Sequence, residues 1–267
     1  MQLFGVCNAS PDSLNTDSIV HDVPSAISRV ERMLADGANA VDLGGQGSTH
    51  AATQVSLDEE WSRLVDLIPA IAAMGVPLSV DTWNPEVMRR GLDAGATVMN
   101  AAEGMRLPAM WELAAEREVP VVLPFMLGPD PLHLEHVSGD AVEVMVAWFD
   151  AKLAEASRYG IRSNMILDPG TGFAPLGWEW ESRYHYQKHV YSNIDRLRAF
   201  DLPIYIALPW RETVQHEELL EIVLRQHVDY GRAHYPAHIR EVEARVERSV
   251  QPRSSGSTRH TPPEGSR

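Results

Sequence analysis

The sequence predicts a (β/α)8 barrel, the TIM-barrel architecture, with a short or distorted last strand. Seven short apolar runs alternate with stretches of helical character, which is typical of a parallel sheet covered by helices. The chain has 267 residues, and at this length a closed barrel is favoured over an open sheet. Several apolar runs end at an Asp or Asn, as expected where barrel strands deliver side chains to the functional face.

The predicted strands are buried-type runs, and several end in loops rich in turn-forming residues. In chain order they cover residues 3–7, 40–43, 77–81, 97–99, 119–125, 165–167 and 203–208. The eighth strand is the weak element, because only residues 233–239 remain for it and Pro236 interrupts them. Proline donates no hydrogen bond to a strand neighbour, so we expect this strand to be short or distorted.

The predicted helices follow the strands in alternation. They cover residues 24–35, 56–73, 84–92, 108–115, 141–157, 182–200 and 217–230. Ser56 followed by Glu59 forms a capping box, and Asn84-Pro85 places proline in a first helical turn. Residues 1–249 are therefore predicted to form one barrel domain. The tail at 250–267 is rich in Ser, Pro, Gly and Arg and has nothing to bury, so we expect it to be disordered.

The composition excludes several classes of protein. Net charge is −14, so the surface as a whole repels nucleic acid and anionic membranes. Cys7 is the single cysteine, which excludes an intrachain disulfide framework and is typical of a reducing compartment. No apolar run approaches the roughly 18 residues of a membrane span, and the first residues lack the features of a signal peptide. We therefore expect a cytoplasmic protein.

Polar side chains stand at the ends of most predicted strands. In chain order they are Asn8, Asp42, Asp81, Asn100 and Asp168. Met126 and Arg211 stand after strands five and seven and belong to the same set. Converging carboxylates and amides need a ligand or one another, and their donors and acceptors suit a flat heterocycle with an amino-lactam edge, such as a pterin. Each also has a local explanation: Asp42 as a turn cap, Asn100 as a loop bond, and Asp168-Pro169-Gly170 as a turn.

Five motifs along the chain resemble dihydropteroate synthase in order and spacing, from residue 1 to about residue 211. They are Asn8-Ala9-Ser10-Pro11-Asp12-Ser13, Asp42-Leu43-Gly44-Gly45, Ser79-Val80-Asp81-Thr82, Met99-Asn100 and Leu167-Asp168-Pro169-Gly170-Thr171-Gly172-Phe173. The resemblance implies a pterin-binding (β/α)8 barrel. It further implies a transferase of folate biosynthesis that joins 6-hydroxymethyl-dihydropterin diphosphate to p-aminobenzoate and releases pyrophosphate.

The resemblance also implies roles for particular residues. Asp81, Asn100 and Asp168 would hold the polar edge of the pterin, and Met126 would line its pocket. Arg211 stands where the family has a lysine that contacts the pterin. The planar guanidinium keeps the charge of that lysine but not its geometry.

On the diphosphate side, the resemblance implies that Asn8 binds Mg²⁺ and the diphosphate and that Thr49 lies in a loop over the substrate. Family members usually pair through helices of the second half, so a homodimer is an expectation from the resemblance. The expected partners are a small pterin and an arylamine.

Three departures from the family affect the catalytic residues. His50 replaces an arginine in the second loop, and Pro209-Trp210-Arg211 replaces Ser-Arg-Lys after strand seven. The last strand should read Arg-x-His-Asp, and aligned on residues 233–239 it keeps only His238. Catalysis would then depend on Asp168, Arg211 and His238. Because a free histidine is mostly neutral at pH 7, His50 and His238 replace the lost arginines poorly, and we expect weak or altered activity.

Two other functions fit the same motifs. One is a pterin- or folate-binding protein that has lost the chemistry, and the other is a methyltransferase that passes a methyl group from a reduced folate to a corrinoid protein. Two minor signals stay open. The segment Trp178-Glu179-Trp180 is either a lid over the pocket or a contact to a partner chain. His185 and His189 have a spacing that can bind zinc, although their neighbours indicate an ordinary helix face.

Overall fold

The computed structural model describes residues 1–48 and 52–250, and they form a nearly closed barrel of eight parallel strands. The order of the strands around the sheet is β6-β5-β4-β3-β2-β1-β8-β7. The strands are β1 (Gln2–Asn8), β2 (Ala40–Gly44), β3 (Leu78–Thr82), β4 (Val98–Ala101), β5 (Val121–Pro124), β6 (Met165–Asp168), β7 (Tyr205–Ala207) and β8 (Tyr230–Ala233). The predicted (β/α)8 barrel is therefore confirmed.

Helices cover the outside of the barrel. They are α1 (Val23–Ala35), α2 (Leu57–Leu64), α3 (Leu67–Ala72), α4 (Pro85–Asp93), α5 (Pro108–Arg117), α6 (Ala141–Arg158), α7 (Trp180–Ser192), α8 (Val214–Arg225) and α9 (Pro236–Val250). Among these residues, no helix combines the length and apolar character that crossing a membrane requires.

Local signals in the sequence set several helix starts. The side chain of Ser56 accepts a hydrogen bond from the backbone of Glu59, and Asn84 caps α4 in the same way ahead of Pro85. The predicted helix over residues 56–73 is instead two helices, α2 and α3. Pro69 causes the break, because it lacks an N–H group and its ring clashes with the carbonyl four residues earlier.

The last strand is short, as predicted, but its predicted position at residues 233–239 was wrong. Strand β8 covers Tyr230–Ala233 and pairs with both β1 and β7, while Pro236 begins helix α9. Proline suits this first helical turn because the N–H that it lacks would have no partner there. The strand reads Tyr-Gly-Arg-Ala and carries no apolar run. Gly231 lies where a Cβ atom would come within 2.6 Å of Leu208.

The weak point of the barrel lies between β6 and β7. One backbone bridge, between Leu167 and Ile204, joins these strands, whereas each of the other neighbouring pairs has a ladder. Side chains of α7 fill part of this seam. The hydroxyl of Tyr191 lies 3.0 Å from Oγ1 of Thr171 and donates to the carbonyl of Ala207 at 3.4 Å. The barrel is thus closed by side chains where its backbone pairing ends.

The tail prediction for residues 250–267 extends beyond the part of the chain that the structure describes. Helix α9 reaches Val250, and residues 251–267 lie outside the described ranges.

Candidate functional site

A cavity of ≈ 220 Å³ opens at the carboxyl ends of the strands. The strand-end residues that line it are Asn8, Asp81, Asn100, Pro124, Asp168, Ala207 and Arg232. Parallel strands deliver these side chains to one face of the barrel, which is where the loops of this architecture form active sites.

A buried ion network forms the base of the cavity. Arg232 donates from Nε to Oδ2 of Asp42, and from Nη2 to Oδ2 of Asp81 at 3.2 Å. The other oxygen of Asp42 accepts hydrogen bonds from the hydroxyl of Ser79 and, at 3.2 Å, from the amide of Asn100. Both oxygens of Asp42 are thus occupied by protein donors. Asp42 therefore anchors the site and does not offer itself to a ligand.

Asp81 and Asp168 keep oxygens available to a ligand. Within residues 1–48 and 52–250, Oδ1 of Asp81 and Oδ2 of Asp168 have no hydrogen-bond partner, and both residues line the cavity. Burial raises the pKa of Asp168 to about 7, although the backbone N–H of Gly170 and the charge of Arg232 act against this. Burial and the charge of Asp42 also raise the pKa of Asp81, and Arg232 opposes them. Such raised values are common at functional sites.

The turn after β6 aims Asp168 into the cavity. The backbone N–H of Gly170 donates to Oδ1 of Asp168 at 2.8 Å. Gly170 has φ +66°, and a Cβ atom there would come within 2.0 Å of the carbonyl oxygen of Phe125. Only glycine fits this position, so the Asp168-Pro169-Gly170 sequence holds the carboxylate in a fixed place.

Asn8, at the end of β1, presents an oxygen at the other side of the cavity. Its amide nitrogen donates to the hydroxyls of Ser13 and Ser18, at 3.0 and 2.6 Å. Its side-chain oxygen, Oδ1, makes no hydrogen bond within the described part of the chain, and it would lie 3.8 Å from a Cβ atom on Gly44. This oxygen is of the type that Mg²⁺ prefers. No group of three acidic, His or Cys ligands that could hold a metal ion occurs among the described residues.

Sequence reasoning missed two residues of the site, Arg232 and His234. Together with Ala233 they form the Arg-x-His sequence that the resemblance leads one to expect in the last strand. The alignment on residues 233–239 overlooked it because β8 lacks an apolar run. Both side chains line the cavity. Nδ1 of His234 is buried and has no partner in the described residues, and desolvation of the ring, with the charges of Arg232 and Arg29, lowers the pKa of His234 to about 3.

His238 does not belong to the site. It lies on α9, where Nε2 is 2.7 Å from a carboxylate oxygen of Glu217, and it does not line the cavity. Its predicted catalytic and diphosphate roles were wrong, because the last strand ends before it. Thr49 and His50, which were assigned to the substrate loop, lie outside the described residues.

The other predicted residues divide between cavity and core. Arg211 lines the cavity, with its guanidinium 5.2 Å from the ring centre of Trp210. Met126 is 3% exposed and is not among the lining residues.

Trp180 lines the cavity, whereas Trp178 packs on Tyr186 with ring centres 4.9 Å apart. Only part of the proposed aromatic lid thus reaches the pocket.

The two histidines of α7 have separate acidic partners. His185 lies 2.9 Å from Glu181, and His189 lies 3.1 Å from Asp140. The pair does not converge on one metal position.

Comparisons of this chain with family models, with curated proteins and with solved structures agree on one family. A family model described as pterin binding enzyme matches residues 4–216. The dihydropteroate synthase of Synechocystis sp. is 34% identical over 177 residues, which cover 64% of this chain and 61% of that enzyme. The match thus spans about three fifths of the length of that relative.

Solved structures resemble the whole barrel. The Yersinia pestis dihydropteroate synthase in a sulfonamide drug complex matches with a TM-score of 0.81 and 26% identity, over 93% of this chain and 94% of that one. The Thermus thermophilus dihydropteroate synthase in complex with 4-aminobenzoate matches with a TM-score of 0.77 and 27% identity, over 94% of each chain.

Proposed function

Because the chain belongs to the dihydropteroate synthase family of pterin-binding enzymes, we propose that it condenses 6-hydroxymethyl-dihydropterin diphosphate with p-aminobenzoate and releases pyrophosphate. The observation that carries this proposal is that Asp81 and Asp168 each have a carboxylate oxygen without a hydrogen-bond partner among the described residues and line one cavity together with Asn100. A cavity that buries such groups is matched to a ligand with several N–H donors.

The amino-lactam edge of a pterin meets this requirement. Its exocyclic amine and adjacent ring N–H are two parallel donors, which a carboxylate accepts in bidentate form. Asp168 is held for this contact by Gly170, while Asp81 and Asn100 bond further polar atoms of the ring. Arg232 keeps Asp81 in place through its hydrogen bond of 3.2 Å.

Mg²⁺ is part of the proposal. Asn8 supplies its side-chain oxygen, and the nitrogen of the same amide is held by hydrogen bonds to Ser13 and Ser18. A bound Mg²⁺ would neutralise charge on the diphosphate and make it a better leaving group. Thr49 and His50 remain proposed contacts of the covering loop, and His234 takes the place that His238 was predicted to hold.

The reaction needs positioning more than strong acid or base catalysis. The arylamine nitrogen attacks the exocyclic carbon of the pterin, the carbon–oxygen bond breaks, and the electron pair leaves with the diphosphate. The new secondary ammonium then gives up one proton to solvent. An aniline nitrogen is already a neutral nucleophile, so the protein acts by holding both substrates in line. The negative charges of Asp81 and Asp168 stabilise positive charge that develops on the ring as the bond breaks.

The deciding experiment measures pyrophosphate release by the purified protein with the dihydropterin diphosphate, Mg²⁺ and p-aminobenzoate. We expect release that depends on both substrates, together with formation of 7,8-dihydropteroate. Pterin binding in calorimetry without release would indicate a pterin or folate carrier. Methyl transfer from a reduced folate to a corrinoid would indicate the methyltransferase. Absence of pterin binding would contradict the site as well as the reaction.

Pterin affinity is expected to rise with pH. Below pH 7 a raised pKa leaves Asp168 mostly protonated, and a protonated carboxyl cannot accept two N–H donors. With a pKa of about 7, the ionised fraction falls about 25-fold between pH 7.5 and 5.5, and Kd for 6-hydroxymethylpterin should rise by about that factor. Calorimetry across this range measures the effect. Asp168→Asn should show a flatter profile, and an unchanged Kd in the wild type would refute the assignment.

A further inference from the structure

A buried carboxyl group that the proposed reaction does not use lies in the loop between β4 and α5, residues 102–107. Glu103 is 3% exposed, and neither of its carboxylate oxygens has a hydrogen-bond partner among the described residues. The loop supports one wall of the cavity. Its first residue, Ala102, lines the cavity, and a Cβ atom on Gly104 would come within 3.2 Å of the carbonyl oxygen of Pro124, another lining residue.

The charged groups that act on Glu103 come from its own loop and from α6. Burial raises the pKa of Glu103 to about 7, and the charges of Lys152 and Arg106 oppose this shift. The backbone N–H groups of Glu103 and Arg106 also lower the pKa, although their geometry falls short of a hydrogen bond. Glu155 of α6 lies 4.0 Å from the ammonium group of Lys152. Within residues 1–48 and 52–250, neither cation forms a salt bridge with Glu103.

The ammonium group of Lys152 binds the backbone of the loop. It donates to the carbonyl of Met105 at 2.7 Å and lies 5.7 and 5.6 Å from the ring centres of Trp111 and Trp148. The two indole rings therefore place the ammonium group beside the loop. Lys152 thus joins α6 to the loop through a neutral carbonyl, although the carboxyl group of Glu103 lies close enough for its charge to act on Lys152.

The backbone of the loop has an unfavourable conformation. Gly104 and Met105 have φ of +66° and +50°, and a residue with a side chain adopts this left-handed region at a cost in free energy. Two side-chain hydrogen bonds tie the loop to its neighbours. Lys152 donates to Met105, and Arg106 donates to the carbonyl of Gly128 after β5. Loss of either bond frees a segment whose conformation is unfavourable by itself.

Ionisation of Glu103 changes which partner Lys152 prefers. A buried carboxylate without donors is costly, and a hydrogen bond between two charged groups is stronger than one to a neutral carbonyl. The long, flexible side chain of lysine can turn its ammonium group from one acceptor to the other. Because the pKa of Glu103 lies above its ordinary value of 4.5, the closed loop is most stable when Glu103 is protonated and loses stability as pH rises through about 7.

We propose that Glu103 and Lys152 form a protonation switch of the β4–α5 loop. While Glu103 is protonated, Lys152 holds the carbonyl of Met105 and the loop is closed. When Glu103 gives its proton to solvent, Lys152 turns to the carboxylate, releases Met105, and the loop loosens. The ladder between β3 and β4 is not part of the switch. The switch goes beyond the proposed reaction, because it depends only on the loop and α6.

Hydrogen exchange of residues 102–107, corrected for the intrinsic effect of pH on exchange, tests the switch. For a group with a pKa of about 7, the ionised fraction rises about 10-fold between pH 6 and 8. Protection factors of the loop should fall by about this factor in the wild type. Glu103→Gln keeps an uncharged group of the same size and should retain the protection of pH 6 at both pH values. Lys152→Met removes the bond to Met105 and should give low protection already at pH 6.

Glu155→Gln is the matched control. It removes the other carboxylate beside Lys152, whose side chain is 40% exposed, and should keep the wild-type fall in protection. Residues 98–101 of β4 are an internal reference that should not respond to pH. A parallel fall there would assign the effect to the carboxylates of the cavity and contradict the switch.

Constant protection of the wild-type loop between pH 6 and 8 would overturn the inference. The same fall in Glu103→Gln as in the wild type would show that another group titrates, and it would also overturn the inference. Wild-type protection in Lys152→Met at pH 6 would show that Lys152 does not hold the loop. A fall that Glu103→Gln abolishes and Glu155→Gln retains would support the switch.

Discussion

Replacing Arg232 by Gln is expected to lower the free energy of unfolding by about 3–5 kcal/mol. Arg232 is the cationic partner of both Asp42 and Asp81, whose side chains are 0% and 12% exposed. Removing one member of a buried ion network leaves the remaining charges desolvated and unpaired, which costs more than the network itself contributes. Urea denaturation at constant pH measures the loss.

Arg245→Gln is the matched control. Arg245 also contacts two carboxylates, Glu217 at 2.6 Å and Glu221 at 3.2 Å, but its side chain is 53% exposed. Solvent screens such surface pairs, so the loss should be small beside that of Arg232→Gln. Similar losses in the two variants would show that the network around Arg232 has no special role in stability.

Replacing Asp168 by Asn is expected to weaken pterin binding about 10- to 100-fold, because hydrogen bonds to charged groups contribute about 1.5–3 kcal/mol. The fold should not suffer. The side-chain oxygen of Asn can still accept the hydrogen bond from Gly170, and a neutral amide removes a buried carboxylate whose pKa is raised to about 7. Calorimetry with 6-hydroxymethylpterin at pH 8 and a denaturation curve measure the two effects separately.

Asp150→Asn, on an exposed position of α6, is the control for loss of one negative charge. It should leave both pterin affinity and stability unchanged. If Asp168→Asn also kept wild-type affinity at pH 8, Asp168 would not be a pterin ligand.

The sequence was sufficient for the parts of the site that follow recognisable strands. Asn8, Asp81, Asn100 and Asp168 each stand at the end of an apolar run, and parallel strands bring such ends to one face of the barrel. Their convergence could therefore be predicted without coordinates, although not which of them bonds to a neighbour. Asp42 looks like the others in the sequence, but its carboxylate accepts a hydrogen bond from Arg232.

The residues that sequence reasoning missed do not follow an apolar run. Arg232 lies on a strand whose residues are not apolar, and Pro236 drew the prediction towards a stretch that begins a helix. Arg183 is one of several charged residues on α7, and periodicity does not distinguish it from its exposed neighbours. Its position in the cavity depends on how α7 packs against the ends of β6 and β7, which is a property of the tertiary fold.

The single bridge between Leu167 and Ile204 has a consequence for the width of the ligands that the cavity can hold. Arg183 lies on α7, which connects β6 to β7, and Arg211 follows β7, whereas Asp81 and Asn100 are paired within the ladder that joins β3 to β4. A small separation of β6 and β7 would strain the side-chain contacts of Tyr191 with Thr171 and Ala207 and would leave the ladder between β3 and β4 intact. We therefore expect the cavity to adapt to ligands of varied width beside β6 and β7 and to stay rigid beside β3 and β4.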